Sequence, residues 1–165
     1  MKKAFTLVEL LVAISIIVLL TGIVILNFRS GGDQLALERA ANQVAQDIKK
    51  AMEMALGGKE KGGSFPQGGY GIYFSAPSNS YVLFADNNSD GSYNLGEEIK
   101  TISLQEKNIT IYNISPSSPL SITFLPPVPE VKFSVPASSV TITLRDNRGR
   151  TKTIFINQVG LVEIQ

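Results

Sequence analysis

Hydrophobic residues dominate the first part of the chain. From residue 5 to residue 26 the sequence reads FTLVELLVAISIIVLLTGIVIL, and the 17 residues of 10–26 include no charged side chain. A helix of this length rises about 25 Å, which approaches the ~30 Å hydrocarbon core of a membrane. We therefore predict that residues 5–28 form a hydrophobic transmembrane helix.

A periodic pattern follows the continuous apolar stretch. Apolar side chains recur at spacings of three and four, which is the period of one helix face, at Leu37, Ala41, Val44, Ile48, Met52 and Ala55. This pattern predicts that residues 29–56 form an amphipathic continuation of the N-terminal helix, packed against the chain's own globular domain. Gly31 and Gly32 leave open whether the helix breaks, and Asp33 is a predicted N-cap for its second part.

Short segments rich in aromatic and β-branched residues fill the rest of the chain. Residues 57–69 contain six glycines and one proline, and we interpret them as a Gly-rich linker. Strands are predicted at residues 70–75, 81–85, 98–104, 109–114, 121–125, 131–135, 140–145, 151–157 and 161–164. The predicted fold class is α+β: a long N-terminal helix followed by an all-β antiparallel globular domain at residues 70–165.

The amino-acid composition argues against several classes of function. The chain has no cysteine and no histidine, which removes disulfides, thiol nucleophiles and the commonest general base, so we do not predict an enzyme. From Arg29 onward there are 13 basic and 13 acidic residues, and this balance provides no general attraction to nucleic acid. Lys2 and Lys3 precede the apolar segment, which places the short N-terminus in the cytoplasm and the C-terminal domain on the exported side.

One charged residue, Glu9, interrupts the apolar segment. A carboxylate costs about 2–3 kcal/mol or more at the centre of a membrane, so such a residue needs a partner. The surrounding sequence, KKAFTLVELLVAI, closely resembles the N-terminal signal of type IV pilins and type II secretion pseudopilins. In this family a peptidase cuts the chain before the phenylalanine.

The resemblance implies a set of roles for the N-terminal residues. Residues 1–4 would be a leader peptide, removed by prepilin peptidase between Ala4 and Phe5, and the new Phe5 terminus would be N-methylated. Glu9 would then pair with the Phe5 amine of a neighbouring pilin or pseudopilin subunit in a helical filament. Ala4 stands where the family usually has glycine.

Other interpretations of the N-terminal segment fit less well. A secretory signal peptide has a shorter apolar region, about 7–15 residues, and this one also contains Glu9. A plain membrane anchor with Glu9 at the interface is a second alternative. The order of helix and strands, together with the closing run SSVTITLRDNRGRTKTIFINQVGLVEIQ, resembles the H-type minor pseudopilins.

These resemblances imply a structural subunit of a type II secretion pseudopilus. It would be a single-pass protein of the bacterial inner membrane with its C-terminal domain on the periplasmic side. Two alternatives remain open. One is a minor type IV pilin for adhesion, motility or DNA uptake, and the other is a membrane-anchored, calcium-dependent binding module.

The calcium alternative rests on a twelve-residue segment, DNNSDGSYNLGE at residues 86–97, which fits the calcium-loop template D-x-[DN]-x-[DN]-G-x5-E. Calcium binds oxygen ligands, and the template assigns this role to Asp86, Asn88, Asp90, Ser92, Asn94 and Glu97. The flanking segments are predicted strands, so the segment is not an EF-hand. The alternative is an ordinary turn, since Asn, Asp and Gly favour turns.

Four basic residues cluster at a predicted hairpin: Arg145, Arg148, Arg150 and Lys152. Such a cluster can neutralise DNA phosphates. No aromatic residue interleaves the run to stack on bases, so we interpret it as a solvated turn and do not predict nucleic acid as a partner.

Overall fold

A computed structural model describes residues 6–58, 60, 63–104, 106, 108–126 and 130–165, and for residues 23–31 it describes the backbone only. The chain divides into two units, Met1–Leu35 and Ala36–Gln165. Helix α1, Leu7–Leu56, contributes residues to both units, and nine strands follow it in the described part of the chain.

Helix α1 is continuous at the glycine pair. Residues 31 and 32 are both helical, so the predicted weak point does not break the helix. Asp33 accordingly lies inside α1, and its prediction as an N-cap is wrong. The cost of a helical glycine, about 1 kcal/mol relative to alanine, is a local penalty that longer helical segments on both sides can offset.

In the first unit, the large hydrophobic side chains between residues 7 and 20 are all at least half exposed, from 50% for Val12 to 79% for Leu7. None of the helices, judged on the described residues, is long and apolar enough to cross a membrane. Phe5 and the side chains of residues 23–28, which belong to the predicted span, lie outside the described residues.

All nine predicted strands are present, with ends that differ from the prediction by at most two residues. They are β1 (Tyr70–Phe74), β2 (Ser80–Ala85), β3 (Glu98–Ser103), β4 (Ile109–Ser115), β5 (Leu120–Leu125), β6 (Glu130–Phe133), β7 (Ser139–Asp146), β8 (Thr151–Asn157) and β9 (Val162–Ile164). The prediction succeeds because period-two alternation and turn residues are local signals.

The strands form two antiparallel sheets. The first has five strands in the order β3-β2-β1-β5-β6, and the second has four in the order β4-β7-β8-β9. β1 and β2 form the predicted hairpin, and β7, β8 and β9 follow one another as a meander. The α+β fold class with an antiparallel β-domain is therefore confirmed.

The core joins the second part of α1 to one face of each sheet. On α1 the predicted apolar stripe is buried, with Met52 half-buried against the cluster and the fully buried Ala40 and Ala51 completing it. The sheets contribute mainly large apolar side chains, among them Ile72, Phe74, Ile122, Phe124, Ile142, Leu144, Ile154 and Ile156. The apolar stripe that the sequence predicts within residues 29–56 is therefore packed against the chain's own β-domain.

One buried polar contact fixes α1 to the first sheet. The Tyr81 hydroxyl on β2 donates a hydrogen bond to Asp47 Oδ2 on α1 at 2.6 Å, and Tyr81 is only 1% exposed. Burial, followed by the hydrogen bond to Asp47, raises the pKa of Tyr81 far above its usual range. Since the folded pKa exceeds the unfolded value of about 10, this stabilisation is complete below that pH and is lost as the pH rises further.

We predict that Tyr81→Phe lowers the free energy of unfolding by about 1.5–3 kcal/mol, the range for a hydrogen bond to a charged group. Urea unfolding of the detergent-solubilised full chain, followed by near-ultraviolet circular dichroism, measures it. Tyr112→Phe is the control, because Tyr112 is 53% exposed and should be near neutral. Equal stabilities of wild type and Tyr81→Phe at pH 7 would contradict a contribution from this contact.

Candidate functional site

The helix start places Glu9 in a defined position. The backbone N–H of Glu9 donates to Thr6 Oγ1 at 3.2 Å, and Leu10 N–H donates to the Thr6 carbonyl at 3.2 Å. Thr6 is therefore the N-cap of α1 and Glu9 occupies the third helical position, the T-x-x-E arrangement of a capping box. A carboxylate there also interacts favourably with the helix dipole. Sequence reasoning missed Thr6, although T-x-x-E is a recognisable start signal.

The side chain of Glu9 has no described partner. It is exposed, and no hydrogen bond or ion pair joins its carboxylate to another residue of the described part. Ala4 and Phe5, the predicted cleavage position, lie outside the described residues. The predicted pairing of Glu9 with the Phe5 amine of a neighbour thus remains a prediction.

The segment at residues 86–97 connects β2 to β3, and two of its predicted calcium ligands are buried. Asp86 is 1% exposed and Glu97 is 5% exposed. Asp86 Oδ1 accepts from Ser89 N–H at 2.7 Å, and Oδ2 accepts from Gly91 N–H at 2.8 Å. Gly68 faces Asp86 so closely that a Cβ on it would lie 2.2 Å from the carboxyl carbon.

Glu97 is held in the same way at the other end of the segment. Its Oε1 accepts from Asn87 N–H at 3.0 Å and its Oε2 from Asn94 N–H at 2.9 Å. Each oxygen of the two buried carboxylates therefore accepts one backbone N–H. These charge-assisted hydrogen bonds offset the cost of burying the carboxylates and fix the path of the backbone.

Asp90 lies at the exposed surface of the same segment. It accepts from Asn94 Nδ2 at 2.8 Å, from Ser92 N–H at 2.7 Å and from Asn88 Nδ2 at 2.9 Å. The hydrogen bond from Asn94, followed by that from Ser92, lowers the pKa of Asp90. The structure thus groups Asp90, Asn88, Ser92 and Asn94 with one another, separately from the amide-capped Asp86 and Glu97.

The segment also covers the second face of the five-stranded sheet, a role that the sequence analysis missed. Tyr93 N–H donates to Ser121 Oγ at 3.0 Å, and Thr123 Oγ1 donates to the Gly91 carbonyl at 3.1 Å. The Tyr93 ring lies 5.0 Å from Tyr73 and 5.6 Å from Phe84, centroid to centroid. This cover explains why β1 and β5 are buried on both faces. Tyr93, a large aromatic residue within a polar turn, was the sequence feature that could have indicated this cover.

The calcium prediction is not tested by this arrangement. All six predicted ligands offer oxygen atoms, but within the described residues no three Asp, Glu, His or Cys side chains are placed to hold one metal ion. A cation bound through the full template would require Asp86, Asp90 and Glu97 to regroup. Calcium binding here stays a prediction.

The basic hairpin turn between β7 and β8 is held by Asp146. Its carboxylate accepts from Arg150 Nε at 2.7 Å and from the backbone N–H groups of Arg148 and Arg150, both at 2.9 Å. Burial alone would raise the pKa of Asp146, but the Arg150 guanidinium and these backbone groups outweigh it and lower the pKa.

The same turn has an aromatic neighbour that is remote in sequence. The Arg145 guanidinium carbon lies 4.7 Å from the centroid of the Tyr112 ring on β4. The sequence of the basic run could not predict this contact, because the ring belongs to another strand and the contact depends on the pairing of β4 with β7. The strand pattern offered no signal for that pairing, since the two strands are not consecutive.

Comparison with known proteins finds a match for the N-terminal segment alone. Residues 1–25 match the family model of the prokaryotic N-terminal methylation motif. No curated protein and no solved structure shows a significant match to the chain. The motif indicates a type IV pilin-like or pseudopilin protein that is processed by prepilin peptidase. The match ends before the β-domain.

We predict from the loop template that calcium raises the melting temperature of the full chain in detergent. The stabilisation should be about 2.7 kcal/mol at a hundredfold excess of calcium over Kd, and magnesium should replace calcium poorly. Asp90→Asn, at an exposed position, should remove the response, while Glu163→Gln on β9 is the control for loss of one exposed acid. Equal melting temperatures in calcium and in chelator would refute calcium binding and leave the segment as an amide-capped turn that covers the sheet.

Proposed function

We propose that the chain is a minor pseudopilin of a type II secretion system, anchored in the inner membrane by residues 5–28. The observation that carries the proposal is the match of residues 1–25 to the methylation motif, with Glu9 as the single charged residue of residues 4–28. The helix-first, β-domain-second architecture agrees with it.

The proposed mechanism is assembly through one charge pair. Lipid tails are as apolar as leucine side chains, so the hydrophobic effect does not drive helices together within a membrane. A polar pair can supply the missing attraction and the register. Glu9 is unpartnered among the described residues and lies in the first turn of α1, next to the predicted processing site. After cleavage, the Phe5 amine of a neighbour would neutralise this carboxylate and remove its cost of about 2–3 kcal/mol.

A minor type IV pilin remains the second candidate, since the methylation motif fits it equally well. Deletion of the gene distinguishes the two. Loss of protein export with intact pili supports the pseudopilin, whereas loss of pili or of DNA uptake with normal export supports the pilin. If the chain is instead a binding module on a plain anchor, its deletion should cause neither defect, and the chain should not be cleaved by prepilin peptidase.

We predict cleavage between Ala4 and Phe5 followed by N-methylation of Phe5. Intact-mass measurement of the protein from cells with active prepilin peptidase should give residues 5–165 plus one methyl group. Cells lacking the peptidase are the control and should retain Met1 or its trimmed form. A chain that keeps residues 2–4 in the presence of the peptidase would refute the proposed function.

We predict that Glu9→Gln yields a processed, membrane-inserted protein that joins filaments about tenfold less often or worse, as expected for loss of a charged hydrogen bond. Glutamine preserves the capping-box residue type, so helix initiation is retained. Ser15→Ala is the matched control, because within the described residues the Ser15 hydroxyl donates only to the Leu11 carbonyl of its own helix. Incorporation is measured in sheared filament fractions, and normal incorporation of Glu9→Gln would exclude the pairing role.

A further inference from the structure

The hairpin turn between β7 and β8 concentrates positive charge in an otherwise acidic domain. Residues 145–152 contain four basic residues and one acidic residue, a net charge of +3. The chain from Arg29 onward has 13 of each sign, so everything outside the turn has a net charge of −3. We call residues 145–152 together with Tyr112 the basic turn.

Contacts within the unit Ala36–Gln165 place the basic turn near the first residues that α1 contributes to this unit. Asp146 pairs with Ile109 at the start of β4, and Glu106, three residues before Ile109, lies 3.6 Å from the Arg39 guanidinium. The opposite end of β8 leads to Gly160, where an added Cβ would lie 2.7 Å from Met52 Cε. The basic turn therefore lies at the end of the unit where the chain enters it.

The length of the chain limits how far this end can be from the membrane proposed above. Seven residues, 29–35, lie between residue 28, the end of the proposed span, and Ala36, so that eight residue-to-residue steps connect the two. They reach about 12 Å as a helix and at most about 28 Å if fully extended. The chain therefore tethers Ala36 within about 28 Å of the end of the proposed span.

The side chains of the basic turn suit an anionic, partly apolar surface. Asp146 is paired with Arg150, and no carboxylate of the described residues pairs with Arg145. Lys152 lies opposite Leu144, on the other face of the sheet from Arg145, so Arg145 is the cation that the strand register places beside Tyr112. Arg145 is held over the Tyr112 ring and lies 3.3 Å, through Nη2, from the place of a Cβ on Gly149. Tyr112 is 53% exposed, and tyrosine is favoured at the level of the headgroups.

We propose that the basic turn binds the phosphate groups of anionic phospholipids in the leaflet from which the domain emerges, while the anchored subunit awaits assembly. This inference rests on the proposed membrane anchoring. Lipid fits better than nucleic acid because the turn lies at the membrane-proximal end and offers one stacking ring rather than a series. This binding would hold the β-domain in one orientation at the membrane surface. It would end when the subunit leaves the membrane.

The absence of cysteine permits a direct test on the full chain. A fluorophore on Asn147→Cys reports from the turn, and one on Val159→Cys, 82% exposed at the β8–β9 turn, reports from the opposite end of β8. Each labelled chain is reconstituted in phosphatidylcholine vesicles with or without phosphatidylglycerol, both containing a trace of headgroup-nitroxide lipid that quenches nearby fluorophores.

We expect phosphatidylglycerol to increase quenching at residue 147 but not at residue 159, and high salt to reverse it. Arg145→Gln should reduce the ratio of docked to undocked domain about fivefold, the effect of one basic residue near an anionic surface. Lys132→Gln on β6 changes the net charge equally outside the turn and should leave quenching unchanged. Equal quenching in both vesicles, or equal effects of the two variants, would overturn the proposal.

Further measurements distinguish lipid from the alternative ligands and test the membrane anchor independently. Reversal by millimolar inorganic phosphate would show a general anion site, and Arg145-dependent displacement by a DNA oligonucleotide would show a nucleic-acid site; either result overturns lipid docking. Retention of the chain in vesicles after alkaline extraction is measured first. Loss there contradicts the proposed anchor and the docking with it, whereas retention without lipid-dependent quenching contradicts the docking alone.

Discussion

Packing of the second part of α1 against one face of each sheet is the constraint on which the β-domain depends. Ala40, Ala41, Ile48, Ala51 and Ala55 of the helix are fully buried, and they share one hydrophobic cluster with the strands of both sheets. A chain without cysteine has no covalent alternative for holding two small sheets together. The helix is therefore part of the domain core as well as the continuation of the N-terminal segment.

The same helix changes character along its length, and this change links the fold to the proposed function. Between residues 7 and 20 its large apolar side chains are exposed, while from Leu37 onward its apolar stripe is buried. The first part is thus available to lipid or to other subunits, and the second is not. Under the proposed function, Glu9, which follows the Thr6 cap, would be the charged residue that pairs with a neighbouring subunit.

Sequence reasoning succeeded where the signal is local. Alternation located nine strands, the three-and-four spacing located the buried stripe, and the N-terminal run identified the processing motif. It failed at Asp33, because two glycines weaken a helix without ending it when the sequence on both sides is helical. It also missed the cover that Tyr93 forms over Tyr73, and the stacking of Arg145 on Tyr112. Both depend on which strands become neighbours, a property of the tertiary fold.

The proposed function makes the exposed apolar part of α1 a surface for assembly with other pilin-like subunits. A photo-crosslinking amino acid in place of Ile16, which is 54% exposed, tests it in living cells. We expect adducts with proteins that begin with the same methylated motif, formed only when prepilin peptidase is active. Adducts that form equally without the peptidase, or that contain only lipid in cells with assembled filaments, would contradict it.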